Sequence, residues 1–300
     1  MAVIDVVVGK VEPWRGIKDI TIQPLSGGLT NRNYKVMVNG TPYFVRVPGE
    51  STELLAVDRK NEYFNSLAAA ESGVGPRVVF HIPDMNVMVL EFLTGQTMSR
   101  ASLNAAGMPA RIAKAIKQLH SGPRFLKDFN MFRLTEYYLS LCDQRQITIP
   151  DGFRSRLGEV EKIEKALETY PVSIVPCNND LLAENYIEDG TQLRIIDYEY
   201  SGNNDPYFEL GNTCQEQQYN DDQIKEVCQA YFGETSAARL ARLKLNMIMS
   251  DVGWTLWAAI QARISKIEYD FWGWAIERWS RAEVKFRSSE FPEWLKAVSV

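Results

Sequence analysis

The sequence predicts an α+β chain of two unequal lobes, a small antiparallel β-sheet lobe over residues 1–93 and a larger, mainly helical lobe over residues 94–300. Two observations lead to this division. Up to Leu93 the apolar residues alternate in short runs punctuated by glycine and asparagine turns, whereas beyond Gly95 they recur at helical spacing. A length of 300 residues at 45% hydrophobic and 24% charged content is ample for one such two-lobed unit.

Taken in order, residues 19–23 alternate as a strand and residues 33–38 as a second, with Ser26-Gly27-Gly28-Leu29-Thr30-Asn31 between them. Asn39-Gly40 marks a tight hairpin into a third strand at 43–47, because both residues tolerate positive φ. Residues 57–70 turn helical and end near Gly73 and Gly75-Pro76. Strands at 77–81 and 87–92 complete the order β-β-β-α-β-β. In the second lobe, helices are expected around 109–120, 133–144 and 153–168. Short strands at 172–175, 185–187 and 193–196 surround the loop 176–184, with Asp189-Gly190 as a further hairpin turn, before long amphipathic helices resume through 237–288.

Composition narrows the function classes. The longest apolar runs, such as Val6-Val7-Val8, fall far short of the ~20 residues that a membrane span needs, and the first ten residues lack the pattern of a secretory signal. A cytoplasmic location is expected. Four cysteines, at 142, 177, 214 and 228, form no CxxC pair and have only His81 and His120 for company, so neither a zinc site nor a disulfide framework is expected. The net charge of −5 is uneven: residues 180–226 hold twelve Asp/Glu against two Lys/Arg, a local balance of −10 that leaves about +5 elsewhere. Such a segment repels nucleic acid and suits divalent cations or a cationic substrate.

Within that acidic segment, Asp180 is followed five residues later by Asn185, and then a short strand ends at Asp197. Phosphoryl transfer asks for these groups: one carboxylate orients the attacking hydroxyl, while an amide oxygen and a second carboxylate hold Mg²⁺ against the nucleotide phosphates.

The segment Pro176-Cys177-Asn178-Asn179-Asp180 to Asn185, with Ile196-Asp197-Tyr198-Glu199-Tyr200 after it, resembles the choline/ethanolamine kinases and aminoglycoside phosphotransferases. Their catalytic loop reads His-x-Asp-x₄-Asn. The bacterial choline kinase type is the nearer match, since Gly211-Asn212 and Glu216 follow as in its Ile-Gly-Asn-x-x-x-Glu. The resemblance runs from about Leu25 to Glu283 and implies a bilobal, protein-kinase-like fold with ATP and Mg²⁺ in the cleft. It implies Asp180 as catalytic base, Asn185 and Asp197 as Mg²⁺ ligands, and Glu199 as a further metal-associated acid. Asn178 stands where the family usually has His, a residue that links the catalytic loop to the metal-binding segment; an amide also donates and accepts hydrogen bonds.

For the nucleotide, Ser26, Gly27, Gly28, Thr30 and Asn31 resemble the family's phosphate-covering loop, where glycine lets backbone N–H groups approach phosphate oxygens. Arg46 occupies the place of the phosphate-binding lysine of protein kinases, with Glu62 on the following helix as its ion-pair partner. Adenine is expected beside Glu91 and Leu93, bonded to the backbone of the lobe connection.

Six of the seven tryptophans lie at or after Trp254. The stretch Gly253-Trp254-Thr255-Leu256-Trp257 through Gln261 resembles the choline kinase segment Trp-Gly-Leu-Trp-x-x-x-Gln, and Phe271 and Trp274 fall where that family places substrate-pocket tyrosines. Trp254 and Trp257 share one helical face. Trimethylammonium donates no hydrogen bond and is held by aromatic faces with a carboxylate nearby, here Glu216. Rings at helical spacing also serve as core. The expectation is therefore phosphorylation of a small amino alcohol, choline first, with ethanolamine, thiamine or an aminoglycoside, or a nucleotide-binding pseudokinase, as alternatives, and with no nucleic-acid partner.

Overall fold

The computed structural model describes residues 3–25, 28, 30–49 and 52–298. A short helix α1 (Val3–Lys10), which periodicity did not reveal, precedes the strands β1 (Ile20–Leu25), β2 (Asn31–Val38) and β3 (Thr41–Pro48). Helix α2 (Arg59–Glu71) follows, then β4 (Val78–Ile82) and β5 (Val87–Glu91). The five strands form one antiparallel sheet in the order β1-β2-β3-β5-β4. The β2–β3 turn is the expected tight hairpin: Asn39 and Gly40 have φ 47° and 77°, and Val38 pairs with Thr41. One face of the sheet buries Val36, Val45, Val87 and Val89 against Ile4 and Val7 of α1 and against Trp14. That burial gives the amphipathic first helix its place.

Helix α2 starts where Asp58 accepts hydrogen bonds from the amides of Lys60 and Asn61. Its buried face is mostly polar, with Asn61, Glu62, Asn65 and Ser66 beside Ala69, which joins the hydrophobic core of the helical part.

Strand β6 (Gln96–Thr97) pairs not with the sheet but with β8 (Tyr186–Glu188), which pairs in turn with β9 (Leu193–Ile195). The chain has thus entered its helical part, with α3 (Arg100–Leu103), α4 (Met108–His120), α5 (Met131–Arg145) and α6 (Leu157–Thr169). The strand expected at 172–175 is instead β7 (Val175–Cys177), paired with β10 (Gly202–Asn204). Asp189-Gly190 opens the expected hairpin turn between β8 and β9, a four-residue connection in which the Asp189 carboxylate accepts from the amides of Thr191 and Gln192.

Next come α7 (Pro206–Glu216), α8 (Asp221–Phe232), α9 (Ala237–Ile264), α10 (Phe271–Phe286) and α11 (Phe291–Ala297). Helix α9 is the centre of this lobe, buried along nearly its whole length and packed against α5, α7, α10 and α11. At Gly211 a Cβ would come within 3.0 Å of the backbone of Leu243, Asn246 and Met247, so glycine is what lets α7 approach α9. The architecture is α+β and bilobal, a small antiparallel sheet lobe against a larger helical one.

Candidate active site

A cleft of about 660 Å³ runs between the sheet and the helical part. Its walls include Gly28, Thr30, Arg46, Glu91 and Leu93 at one end, Asp180, Asn185 and Asp197 in the middle, and Trp254, Trp257 and Trp274 at the other. Groups separated by more than two hundred residues therefore share one space. Ser26 and Gly27 lie outside the described residues.

The middle of the cleft is built by two loops that hold each other. Asn178 donates from Nδ2 to the carbonyls of Ile196 (3.1 Å) and Asp197 (2.7 Å), while its Oδ1 accepts from the Asp180 amide (3.1 Å). The amide thus performs the linking role that the resemblance assigns to histidine. Asn179 and Asp197 adopt φ of 69° and 64°, left-handed conformations that Asn and Asp tolerate better than most residues. Asn185 donates from Nδ2 to the Asp180 carbonyl (2.7 Å), which fixes its amide and leaves Oδ1 as an acceptor. Burial pushes the Asp180 carboxyl well above its ordinary value, helped by the negative charges of Glu216 and Asp197 and opposed by Arg278.

Arg46 reaches into this centre from β3. Its guanidinium pairs with Glu62, the partner expected from sequence, and also lies 2.7 Å from Asp197 Oδ1. Burial disfavours the charge on Arg46, but Asp197 and Glu62 outweigh it and hold the pKa above the ordinary arginine value. Arg59 adds a further link, 2.7 Å from Glu62 and 3.2 Å from Glu199. Its i, i+3 spacing to Glu62 was visible in the sequence.

Glu199, expected as a further metal-associated acid, is engaged by protein donors on both oxygens. Thr30 Oγ1 donates to one oxygen (2.6 Å), and Asn31 (3.0 Å) and Arg59 donate to the other. Through these bonds Glu199 fastens Thr30, Asn31 and α2 to the helical lobe. Asp197 is engaged through Oδ1 alone among the described residues, by Arg46 at 2.7 Å, and its other oxygen takes no protein donor. With Asn185 Oδ1 it offers the hard oxygen donors that suit Mg²⁺ together with phosphate oxygens.

At the aromatic end, Trp257 donates from Nε1 to Tyr200 Oη (2.6 Å) and meets Trp274 edge to face, with centroids 5.7 Å apart. Trp254 stands edge to face with Tyr200. Phe271 corrects the expectation: it is buried behind Trp257 in the hydrophobic core, and the neighbouring Tyr269, 5.8 Å from Trp274, lines the cleft in its place. Glu216, the carboxylate expected beside the rings, lines the cleft, and Arg278, 1% exposed, clamps both its oxygens. The same guanidinium lies 4.3 Å from the centroid of Trp274. Asp251 and Arg281 extend the cluster, 2.5 Å apart. Arg278 is a residue that sequence reasoning missed. Its signal was an arginine four residues after Trp274, on the face of α10 that carries Phe271, Ala275 and Ala282.

A family model described as choline/ethanolamine kinase matches residues 22–234. Ethanolamine kinase 1 of Mus musculus is 26% identical over 312 residues, covering 88% of this chain and 83% of that one. Among solved structures, a choline/ethanolamine kinase family protein from Mesorhizobium loti is 32% identical with a TM-score of 0.86, over 98% of this chain and 97% of that one. The choline kinase LicA from Streptococcus pneumoniae shares the fold, with a TM-score of 0.79 at 24% identity over 94% of this chain and 98% of that one. With the cleft, its facing loops and these matches together, the chain belongs to the choline/ethanolamine kinase family and is a kinase-fold phosphotransferase with an alcohol as acceptor.

Proposed function

We propose that this enzyme transfers the γ-phosphoryl group of Mg·ATP to the hydroxyl of choline, giving phosphocholine. The observation that carries this reading is one cleft with a phosphate-ready centre and an aromatic end whose obvious carboxylate is already paired. A primary ammonium needs several hydrogen-bond acceptors, and Arg278 occupies both oxygens of Glu216. A quaternary ammonium needs ring faces instead. Trp254, Trp257, Trp274 and Tyr269 supply them.

In this scheme Asp180 accepts and orients the substrate hydroxyl proton, and Arg46 with the backbone around Gly28 and Thr30 receives the phosphates. Asn185 and Asp197 hold Mg²⁺, which neutralises charge on the transferred group. Adenine lies against Leu93 and bonds to the backbone near Glu91. Division at about Leu93 gives each lobe one task, nucleotide binding over 1–93 and catalysis with substrate binding over 94–300. Its supply of ATP makes the cytoplasm the place of the reaction.

The test is kcat/KM for ethanolamine, its monomethyl and dimethyl derivatives and choline, by coupled ADP release. KM is expected to fall along that series, and Trp257→Ala to flatten it by raising KM for choline roughly 2- to 30-fold, the equivalent of about 0.5–2 kcal/mol of cation–π energy. Ethanolamine as the better substrate would overturn the choline reading and leave the kinase family untouched.

A further inference from the structure

The substrate end of the cleft carries one carboxylate that the reaction scheme leaves without a task. Between Asp180 and Asn185 the catalytic loop closes on itself, the Leu182 amide donating to the Asp180 carbonyl (3.1 Å) and the Asn185 amide to the Leu182 carbonyl (3.0 Å), with a short 3₁₀ turn over Ala183–Asn185. Side chains divide along this loop. Leu181 and Ala183 pack into the hydrophobic core of the helical part, while Leu182 and Glu184 line the cleft. Glu184 is exposed, and among the described residues its carboxylate forms no ion pair and accepts no hydrogen bond.

Its neighbours across the cleft are the rings. Burial raises the Tyr269 phenol above its ordinary value, the charge of Arg278 opposes that shift and the charge of Glu184 adds to it. Tyr269 in turn stands edge to face with Trp274, centroids 5.8 Å apart. The other acids around this space are already offset by arginines, Glu216 by Arg278, Asp251 by Arg281 and Asp197 by Arg46. Arg100 also lines the cleft, yet no ion pair joins it to Glu184. Glu184 therefore gives the wall beside the rings a negative charge that no protein cation neutralises.

We propose that Glu184 is a specificity-determining residue, the carboxylate that draws the substrate's cationic nitrogen to the ring faces while Asp180 holds its hydroxyl. The size of the substrate makes this position apt. Only two carbons separate hydroxyl from nitrogen in choline, so a nitrogen among the rings stays close to the loop that carries Asp180, and Glu184 lies four residues along that same closed loop. Ring faces and burial alone discriminate weakly between a trimethylammonium and an apolar group of equal bulk, since both remove the same surface from water. A carboxylate adds selection by sign of charge. Coulomb attraction needs no donated hydrogen, so it acts on a quaternary nitrogen as well as on a primary one.

This inference rests on the reading that the aromatic end holds the substrate's nitrogen, and the choline assignment and the role of Glu184 fail separately. In coupled ADP-release assays at saturating Mg·ATP, Glu184→Gln is expected to raise KM for choline roughly 3- to 20-fold, as loss of a partly screened charge pair requires, with kcat lowered by less than about threefold. The control is the tert-butyl isostere of choline, which has the same bulk and no charge: its inhibition constant as a competitor should move by less than about twofold. Glu184→Asp keeps the charge and should hold KM for choline within about threefold of wild type. Raising salt from about 20 to 300 mM should raise KM for choline more in wild type than in Glu184→Gln, because only the former has an attraction to screen. An unchanged KM for choline in Glu184→Gln, an equal loss on the isostere, or an Asp variant as impaired as the Gln variant would each overturn the proposal. A wild type that prefers ethanolamine overturns the choline assignment alone, since Glu184→Gln should then raise KM for ethanolamine and still spare the isostere.

Discussion

Single residues carry the departures from family pattern, and Asn178 is the sharpest. Its amide group joins the Asp180 amide to the carbonyls of Ile196 and Asp197, so one side chain sets the separation of the two acids. Asn178→Ala is expected to cost about 1–3 kcal/mol, since two buried carbonyls lose their donor. It should also lower kcat more than tenfold, whereas Asn178→His stays within a few-fold, as read by urea unfolding and steady-state kinetics. Equal kcat in the Ala variant would show that the loops keep their spacing without it. Asp197→Ala is expected to abolish Mg²⁺-dependent turnover even at raised Mg²⁺, and calorimetry showing unchanged Mg·ATP binding would place the metal elsewhere. That Asp180, Asn185 and Asp197 share one cleft was legible because their spacing along the chain is itself the signal. The Arg278–Glu216 clamp was not, because its partners lie 62 residues apart and only the fold brings them together.

At the scale of elements, strands and long helices were legible wherever period and punctuation agreed, as at Asn39-Gly40. The elements expected from sequence do not include α7 and α8, although their start signals stand in it, Asp205 before Pro206 and Asn220 with Gln223 three residues on. Phe271 shows the limit of reasoning by face. It and Trp274 are three residues apart on α10, yet Phe271 packs inward behind Trp257 while Trp274 meets the cleft. The centre of α9 also carries a charge that hydropathy hides. Asp251 is 0% exposed, and burial raises its carboxyl to about 6 despite Arg281 and Arg278. The folded protein therefore keeps a proton that the unfolded chain has released between about pH 4 and 6, and this contribution to stability is lost as pH rises through that window. Over two pH units it amounts to about 3 kcal/mol. Asp251→Asn should remove that slope, so that its unfolding free energy, measured in urea from pH 4 to 7, rises relative to wild type as pH increases. Parallel curves for the two proteins would count against the raised pKa.

In the whole molecule, the two lobes are joined by apolar residues before and after α2, Leu55, Val57, Ala69 and Val74, which pack into the helical lobe's cores, and by a set of buried polar groups that apolar periodicity could not reveal. Helix α2 docks by Asn61 and Asn65, whose amides donate to the Ser201 carbonyl at 2.8 and 3.1 Å. Asn65 also donates to Ser201 Oγ (3.0 Å) and accepts from the Leu126 amide (2.8 Å). Beside it run the ion pairs of Arg46 and Arg59 to Glu62, Asp197 and Glu199. Buried polar contacts stabilise little when complete and cost much when broken, so they couple the lobes sharply. Asn65→Ala removes three hydrogen bonds at about 1 kcal/mol each and leaves the Ser201 carbonyl with Asn61 alone, so a loss of roughly 2–4 kcal/mol is expected. The wild type should unfold in urea in one transition, with circular dichroism coincident with tryptophan fluorescence, six of whose seven sources lie in the helical lobe. In Asn65→Ala, hydrogen exchange should quicken at β1 to β3 more than at α9, because the sheet lobe has lost a fastening while the helical core has not. Equal protection of the sheet in both proteins would mean that the remaining contacts, Asn61, the ion pairs of Arg46 and Arg59 and the apolar residues around α2, hold the lobes together without Asn65.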